Sequence, residues 1–297
     1  MGVFMGNESG LRESFRAPPR RPASLARMAD TLSIQLHRRV AGRRVEECAD
    51  VVAVEEPLEL RVEGRTLAII MRTPGADREL AAGFLLSEGV IRSAKDVFDI
   101  TPCVALKGPG VGNVIDVALA KPGAFDPTKF SRHVFTSSSC GICGKTSIAS
   151  VMQRRRPLRD KVRVSAKTLR ALPRLLEREQ TAFKATGGLH ACALFSRTGE
   201  MLALREDVGR HNALDKLIGQ ALLARETPLA GCVALLSGRA SFEMMQKAYA
   251  GGISVVAAIG APSSLAVEFA RSAGQTLVGF LRARTMNVYT APERITA

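Results

Sequence analysis

"CVALLSGRASFEMMQKAYAGGISVVAAIGAPSSLAVEFARSAGQTLVGF", residues 232–280, alternates short apolar runs with segments of helical period, and that alternation decides the fold. CVALLSG, SVVAAIG and TLVGFLR read as strands; SFEMMQKAYA and SSLAVEFARSA between them read as helices. Upstream, ACALF and MLALRE add two more strands, and NALDKLIGQALLA another helix. Strands alternating with helices of about 10 to 15 residues predict an α/β fold, its sheet with a substantial parallel part and covered by helices.

The first half reads differently. LELRV and TLAIIMR form two strands around a Glu63-Gly64 turn, Asp77 caps a helix over RELAAGFLLSEG that Gly89 stops, and GNVIDVAL is a further strand. This is a smaller α+β unit. The expected division is a disordered basic tail over 1–33, the small α+β domain over 34–135, a cysteine loop and basic connector over 136–164, and the α/β domain over 165–297. The last opens with a helix, SAKTLRALPRLLEREQ, capped by Ser165.

At 297 residues the chain can bury a full core. No apolar run approaches the roughly 18 residues of a membrane span, and the N-terminus lacks the apolar stretch of a secretory signal, so a cytoplasmic protein with no membrane partner is expected. The net charge of +14 suits nucleic acid, anionic lipid or a phosphorylated ligand, or is simply an Arg-rich tail and solvated faces. Neither basic cluster, in the tail or in QRRRPLRDKVR from Gln153, carries interleaved aromatics for base stacking, which argues against nucleic acid.

The residues just after the strands carry the binding chemistry. MLALRE runs into Asp207 and then Gly209, Arg210, His211 and Asn212; CVALL runs into Ser237, Gly238, Arg239 and Ser241; SVVAAIG runs into Ala261, Pro262 and Ser264. In open α/β sheets ligands lie outside the carboxyl ends of strands, where helix N-termini offer free N–H groups. Each element alone has an ordinary reading: Asn212, Ser241 and Ser264 as helix caps, Asp207 and Arg210 as an ion pair. Recurrence after three strands predicts an edge for a nucleotide or other phosphorylated ligand. His211 suits a structural or ligand-positioning part better than that of a general base. GxGxxG and GxxxxGK[ST] are both absent, so neither dinucleotide fingerprint nor P-loop is expected.

SSSCGICGK, residues 137–145, holds two of the six cysteines, Cys140 and Cys143. Three chemistries are open. Structural zinc needs four ligands, and no second pair accompanies this one; His133 and His190 have no spacing that recommends them. A thioredoxin-like pair should open the first helix of a βαβ unit, which this is not. A nucleophilic cysteine is favoured by a following helix and by Lys145, with Gly141 and Gly144 allowing close approach. Cys192 and Cys232 lie in apolar runs and read as small buried hydrophobes.

SSSCGICGK, TGGLHACALF, REDVGRHNALDKLIG, SGRASFEMMQKA, APSSLAVEFA and MRTPGADRELAAGFLLSEGVI together resemble the formate dehydrogenase accessory sulfurtransferases, the FdhD family, over Glu55 to Tyr289. The resemblance implies a sulfurtransferase that takes persulfide sulfur from a cysteine desulfurase and delivers it to the molybdenum cofactor of formate dehydrogenase. That cofactor is bis(molybdopterin guanine dinucleotide), here a bound substrate, and no structural metal is implied. It places the persulfide on Cys140, with Cys143 as the second cysteine of the pair. It matches the cofactor-binding stretch to Phe280, Leu281, Arg282, Ala283, Arg284 and Thr285, beside Gly209, Arg210, His211, Ser237, Gly238 and Arg239. It also implies a cytidine deaminase-like second domain, without the zinc signature of those enzymes, and a mobile CxxC loop between the domains. A cofactor with two dinucleotide arms suits a homodimer by symmetry. The alternative is a non-catalytic cofactor-binding chaperone whose cysteines are structural or redox-sensing.

Overall fold

The computed structural model describes residues 30–42, 44–103, 112–123 and 156–297. Cys140, Cys143, the short helix expected after them and most of the expected basic tail lie outside the described residues.

The second half is built on a six-stranded sheet of β8 (His190–Ser196), β9 (Met201–Asp207), β10 (Cys232–Leu236), β11 (Val255–Ala258), β12 (Thr276–Gly279) and β13 (Asn287–Thr290), in the order β13-β12-β11-β10-β8-β9. β10, β11 and β12 are parallel; β8, β9 and β13 run antiparallel to their neighbours. The mixed α/β class expected from the alternation is present, with parallel pairing at the centre and antiparallel strands at both flanks.

Period-two alternation divides the strand side chains between two cores. Ala191, Ala193 and Phe195 of β8, with Val233 and Leu235 of β10, face α2 (Ala166–Glu179), which presents Leu169, Leu172 and Leu176. These three leucines recur at helical spacing and are fully buried, each worth about 1.5–3 kcal/mol relative to exposure. Ser165 caps this helix as expected, accepting from the Thr168 N–H at 3.0 Å.

Cys192, Leu194, Ala234 and Leu236 face the other way, onto α4 (Arg210–Leu223), α5 (Phe242–Ala250) and α6 (Ser264–Ala273). Beyond these lies α1 (Asp77–Ser87), then a four-stranded sheet of β4 (Arg65–Arg72), β3 (Glu56–Val62), β6 (Val114–Leu119) and β5 (Val97–Pro102), in that order. One apolar core therefore runs from the first half into the second.

α1 meets α4 at backbone distance. A Cβ on Gly83 would overlap the Asp215 carbonyl, and one on Gly219 would overlap the Glu79 carbonyl. The helices touch through two reciprocal glycines. Around that contact lies a buried cluster: Lys247 is 2.8 Å from Asp215, which accepts from the Ser87 hydroxyl at 2.9 Å.

Two expected caps move. Ala76, in the left-handed region, precedes α1, and Asp77 is its first residue, spent on Arg72 at 2.9 Å. Ser263 rather than Ser264 caps α6, accepting from the Ala266 N–H at 3.2 Å. A ribbon of β1 (Thr31–Arg38) and β2 (Glu46–Ala53) precedes the four-stranded sheet, and β1 takes in residues 31–33, which are expected in the tail from the sequence. The short strands β7 (Val164–Ser165) and β14 (Ile295–Thr296) pair with each other.

Candidate functional site

Pairing register places all the expected loops on one edge. β10, β11 and β12 end there because they are parallel. Leu236 at the end of β10 faces Cys192 near the start of β8, and His190 faces Asp207 at the end of β9. Gly279 faces Asn287, so the 280–286 turn closes on the same edge. Gly209, Arg210, His211, Ser237, Gly238, Arg239 and the 280–285 stretch are thus gathered from three separate connections.

Hydrogen bonds lock these connections together. The Ser237 hydroxyl accepts from the Ala191 N–H at 2.9 Å, and the Ser237 N–H donates to the Ala191 carbonyl at 3.0 Å. Gly260 N–H donates to Gly238 carbonyl at 2.9 Å, and Phe280 N–H to Gly260 carbonyl at 3.1 Å. Arg282 Nη1 donates to the Ile259 carbonyl at 2.6 Å. Leu281 is fully buried, whereas Arg282, Ala283, Arg284 and Thr285 are exposed. Phe280, the residue after β12, lies in the left-handed region (φ 51°) and is 44% exposed. A large side chain rarely adopts that backbone, and the turn imposes it here.

The acidic residue of this edge is fully committed. Asp207, buried, lies 2.7 Å from Lys216 and accepts from the Gly209 N–H at 2.8 Å and from Asn212 Nδ2 at 2.9 Å. It also accepts from the Thr73 N–H at 3.2 Å, and Lys216 donates to the Thr73 carbonyl at 2.8 Å. The alternative Asp207–Arg210 ion pair is replaced by this one. Asn212 is no cap either: it lies inside α4, and its amide bridges Met71 and Asp207. The start of α4 is therefore tied to the chain just beyond β4.

The cations stand differently. Among the described residues no carboxylate pairs with Arg210 or Arg239, and Arg210 Nε is buried without a hydrogen-bond partner. His211, 2% exposed, has no hydrogen bond at either ring nitrogen; Nε2 lies 3.6 Å from Glu243, an ion-pair distance. That contact, with the Ser241 hydroxyl at 2.8 Å, holds the Glu243 carboxyl down to about 2 against its burial. Ser241 spends its hydroxyl on Glu243 rather than on capping α5. The structural or positioning part expected of His211 fits this burial.

A cleft of about 800 Å³ opens beside the edge. Arg174 and Glu177 of α2, Phe183 of α3 (Thr181–Thr186), and Leu189, His190, Ser237, Ile259 and Ala283 from the sheet side line it. His190 is the residue that the spacing arguments passed over. It is half-buried, lies over Gly238, where a Cβ would be 3.4 Å from its Nδ1, and burial with Arg210, His211 and Arg239 nearby lowers its pKa. Cys192 is buried as expected, but Cys232 is only half-buried and lines a second, 360 Å³ cleft with Leu194, Leu217 and Leu229. No group of three metal-ligating side chains converges among the described residues, and no described helix is long and apolar enough to cross a membrane.

An unpaired buried nitrogen on Arg210 and a second arginine without a carboxylate partner among the described residues make this edge suited to an anion. The profile of the FdhD/NarQ family matches residues 53–296, and the chain belongs to that family. It is 51% identical over 271 residues to the sulfur carrier protein FdhD of Mycobacterium tuberculosis, covering 88% of this chain and 98% of that one. It is 49% identical over 262 residues to the protein of the same name in Streptomyces coelicolor, covering 86% and 93%. A crystal structure from Desulfotalea psychrophila, described as a formate dehydrogenase accessory protein, superposes with a TM-score of 0.71 at 26% identity, covering 90% of this chain and all of that one. The resemblance read from the six sequence blocks is borne out.

Proposed function

We propose that this protein is a sulfurtransferase that accepts persulfide sulfur on Cys140 from a cysteine desulfurase and passes it to bis(molybdopterin guanine dinucleotide) molybdenum cofactor destined for formate dehydrogenase. The observation that carries the reading is the cationic edge, where Arg210 keeps a buried nitrogen without a protein partner beside Gly238. A guanine dinucleotide presents phosphates of the charge and geometry such an edge accommodates. Relatives named as sulfur carriers support the sulfur chemistry.

In this reading the Cys140 thiolate attacks the outer sulfur of the donor persulfide. A new S–S bond forms, the donor S–S bond breaks, and the donor leaves as a thiolate. Cys143 then relays the sulfur, or its thiolate attacks Cys140 Sγ, forming a disulfide and releasing the outer sulfur as hydrosulfide for the metal. The second half serves as a cytidine deaminase-like platform without the zinc chemistry, and two copies of the chain hold the two arms of the cargo.

The test is a double dissociation. Cys140→Ala abolishes sulfur loading by a cysteine desulfurase while guanosine diphosphate affinity stays within about twofold. Arg210→Ala weakens that affinity at least about tenfold, as for loss of a charge-assisted contact, and Arg239→Ala acts in the same direction; both still load sulfur. Equal loss of both properties in either class of variant contradicts this division of labour. Nucleotide binding with no loading on any form of the protein favours the chaperone instead.

A further inference from the structure

His190 begins β8 at the point where the cleft meets the cationic edge, and it belongs to neither arginine cluster by sequence. Its imidazole lies over Gly238, and the Arg210 side chain reaches within 3.9 Å of the point where a Gly238 Cβ would stand. The charged groups facing it come from every side. Arg210 and His211 come from α4, Arg239 from the loop after β10, and Asp207 from the paired end of β9. Arg174 and Glu177 stand across the cleft on α2. Asp207 is already neutralised by Lys216 at 2.7 Å, and Glu243 behind His211 is engaged by His211 and Ser241. His190 therefore shares its surroundings with two arginines that have no carboxylate partner of their own among the described residues.

We propose that His190 is a further ligand-binding residue of this edge, and that it takes up a proton when a phosphate-bearing anion binds. This rests on the anion-site reading above. Burial and the neighbouring cations favour the neutral imidazole when no anion is bound. An anion placed against Arg210 and Arg239 reverses the sign of the local field, and protonation then adds a third cation to the contact. Linkage requires the reciprocal effect: anion affinity rises as pH falls. The site thus holds its phosphates more tightly in the protonated form and releases them when the imidazole loses its proton.

The experiment measures guanosine diphosphate affinity from about pH 8 to about pH 6, where histidine titrates, for wild type and His190→Gln. The probe's own phosphate titration is common to both proteins. Wild-type affinity is expected to improve about three- to tenfold more than that of His190→Gln over this range, since a full unit of coupled shift is tenfold. Should the variant fold poorly, calorimetry of the wild type in buffers of different ionisation enthalpy reads proton uptake directly, and net uptake beyond the probe's own is expected. Equal slopes in the two proteins, or no such uptake by wild type, overturn this inference while leaving the anion site standing. Absence of nucleotide binding to the wild type at every pH overturns the anion site and this inference together.

Discussion

Glu243 is the residue whose ionisation the fold uses most directly. Its carboxyl is held at about 2 by His211 and Ser241, below the 4.5 of a free glutamate. A depressed acid stabilises the fold when ionised: its contribution is complete above about pH 4.5 and is lost as pH falls through about 2. Glu243→Gln is expected to cost about 2 kcal/mol at neutral pH and to flatten the decline of stability in acid. Urea titrations at neutral and acidic pH read both effects. An unchanged acid profile contradicts the assignment. None of this was legible beforehand, because SFEMMQKAYA looks like a helix with Glu243 on its polar side. Only the fold shows that His211, 32 positions earlier in a different helix, is its partner. The exposed-looking Asp215, Lys216 and Lys247 were hidden in the same way; periodicity assigns charge to solvent, and these pair inside the core.

Among the elements, α1 and α4 carry the tightest constraint. Gly219 allows α4 to sit against the Glu79 carbonyl, and an alanine there must push two backbones apart. Gly219→Ala is expected to lower stability by about 3 kcal/mol, at the upper end for overpacking, measured by chemical denaturation. A loss below about 0.5 kcal/mol, the scale of a surface substitution, contradicts the packing. The helices themselves were readable from their period, and so were the strands β8 to β12. β1 also carried its signal, since Leu32, Ile34 and Leu36 alternate, but its partner EECADVVA breaks the pattern with Asp50 opposite Ile34. β13 is four residues long and half exposed, too short to rise above its surroundings in sequence. Cap positions slipped by one residue at Ser264 and Asp77, because two adjacent serines, or an aspartate with a nearby arginine, offer equivalent local chemistry.

Across the whole molecule, position in the sheet turns scattered sequence blocks into one site. Parallel pairing of β10, β11 and β12 brings their following loops together, and register brings His190 and Asp207 to the same edge. The gathering of those loops was legible in the alternation of strands and helices; the place of His190 was not. What does not follow is the tie between halves: Thr73, just beyond β4, holds both Asp207 and Lys216, so the loop bearing Arg210 is fixed by the first half as well as the second. Part of the charge of +14 lies here, in arginines that have no carboxylate partner among the described residues. The central claim is that Cys140 carries sulfur to cargo held there. Intact-protein mass spectrometry after incubation with a cysteine desulfurase and cysteine tests it most directly. A reductant-sensitive gain of one sulfur atom, absent from Cys140→Ala, is the result expected; no gain on the wild type, or a gain that survives in Cys140→Ala, contradicts it.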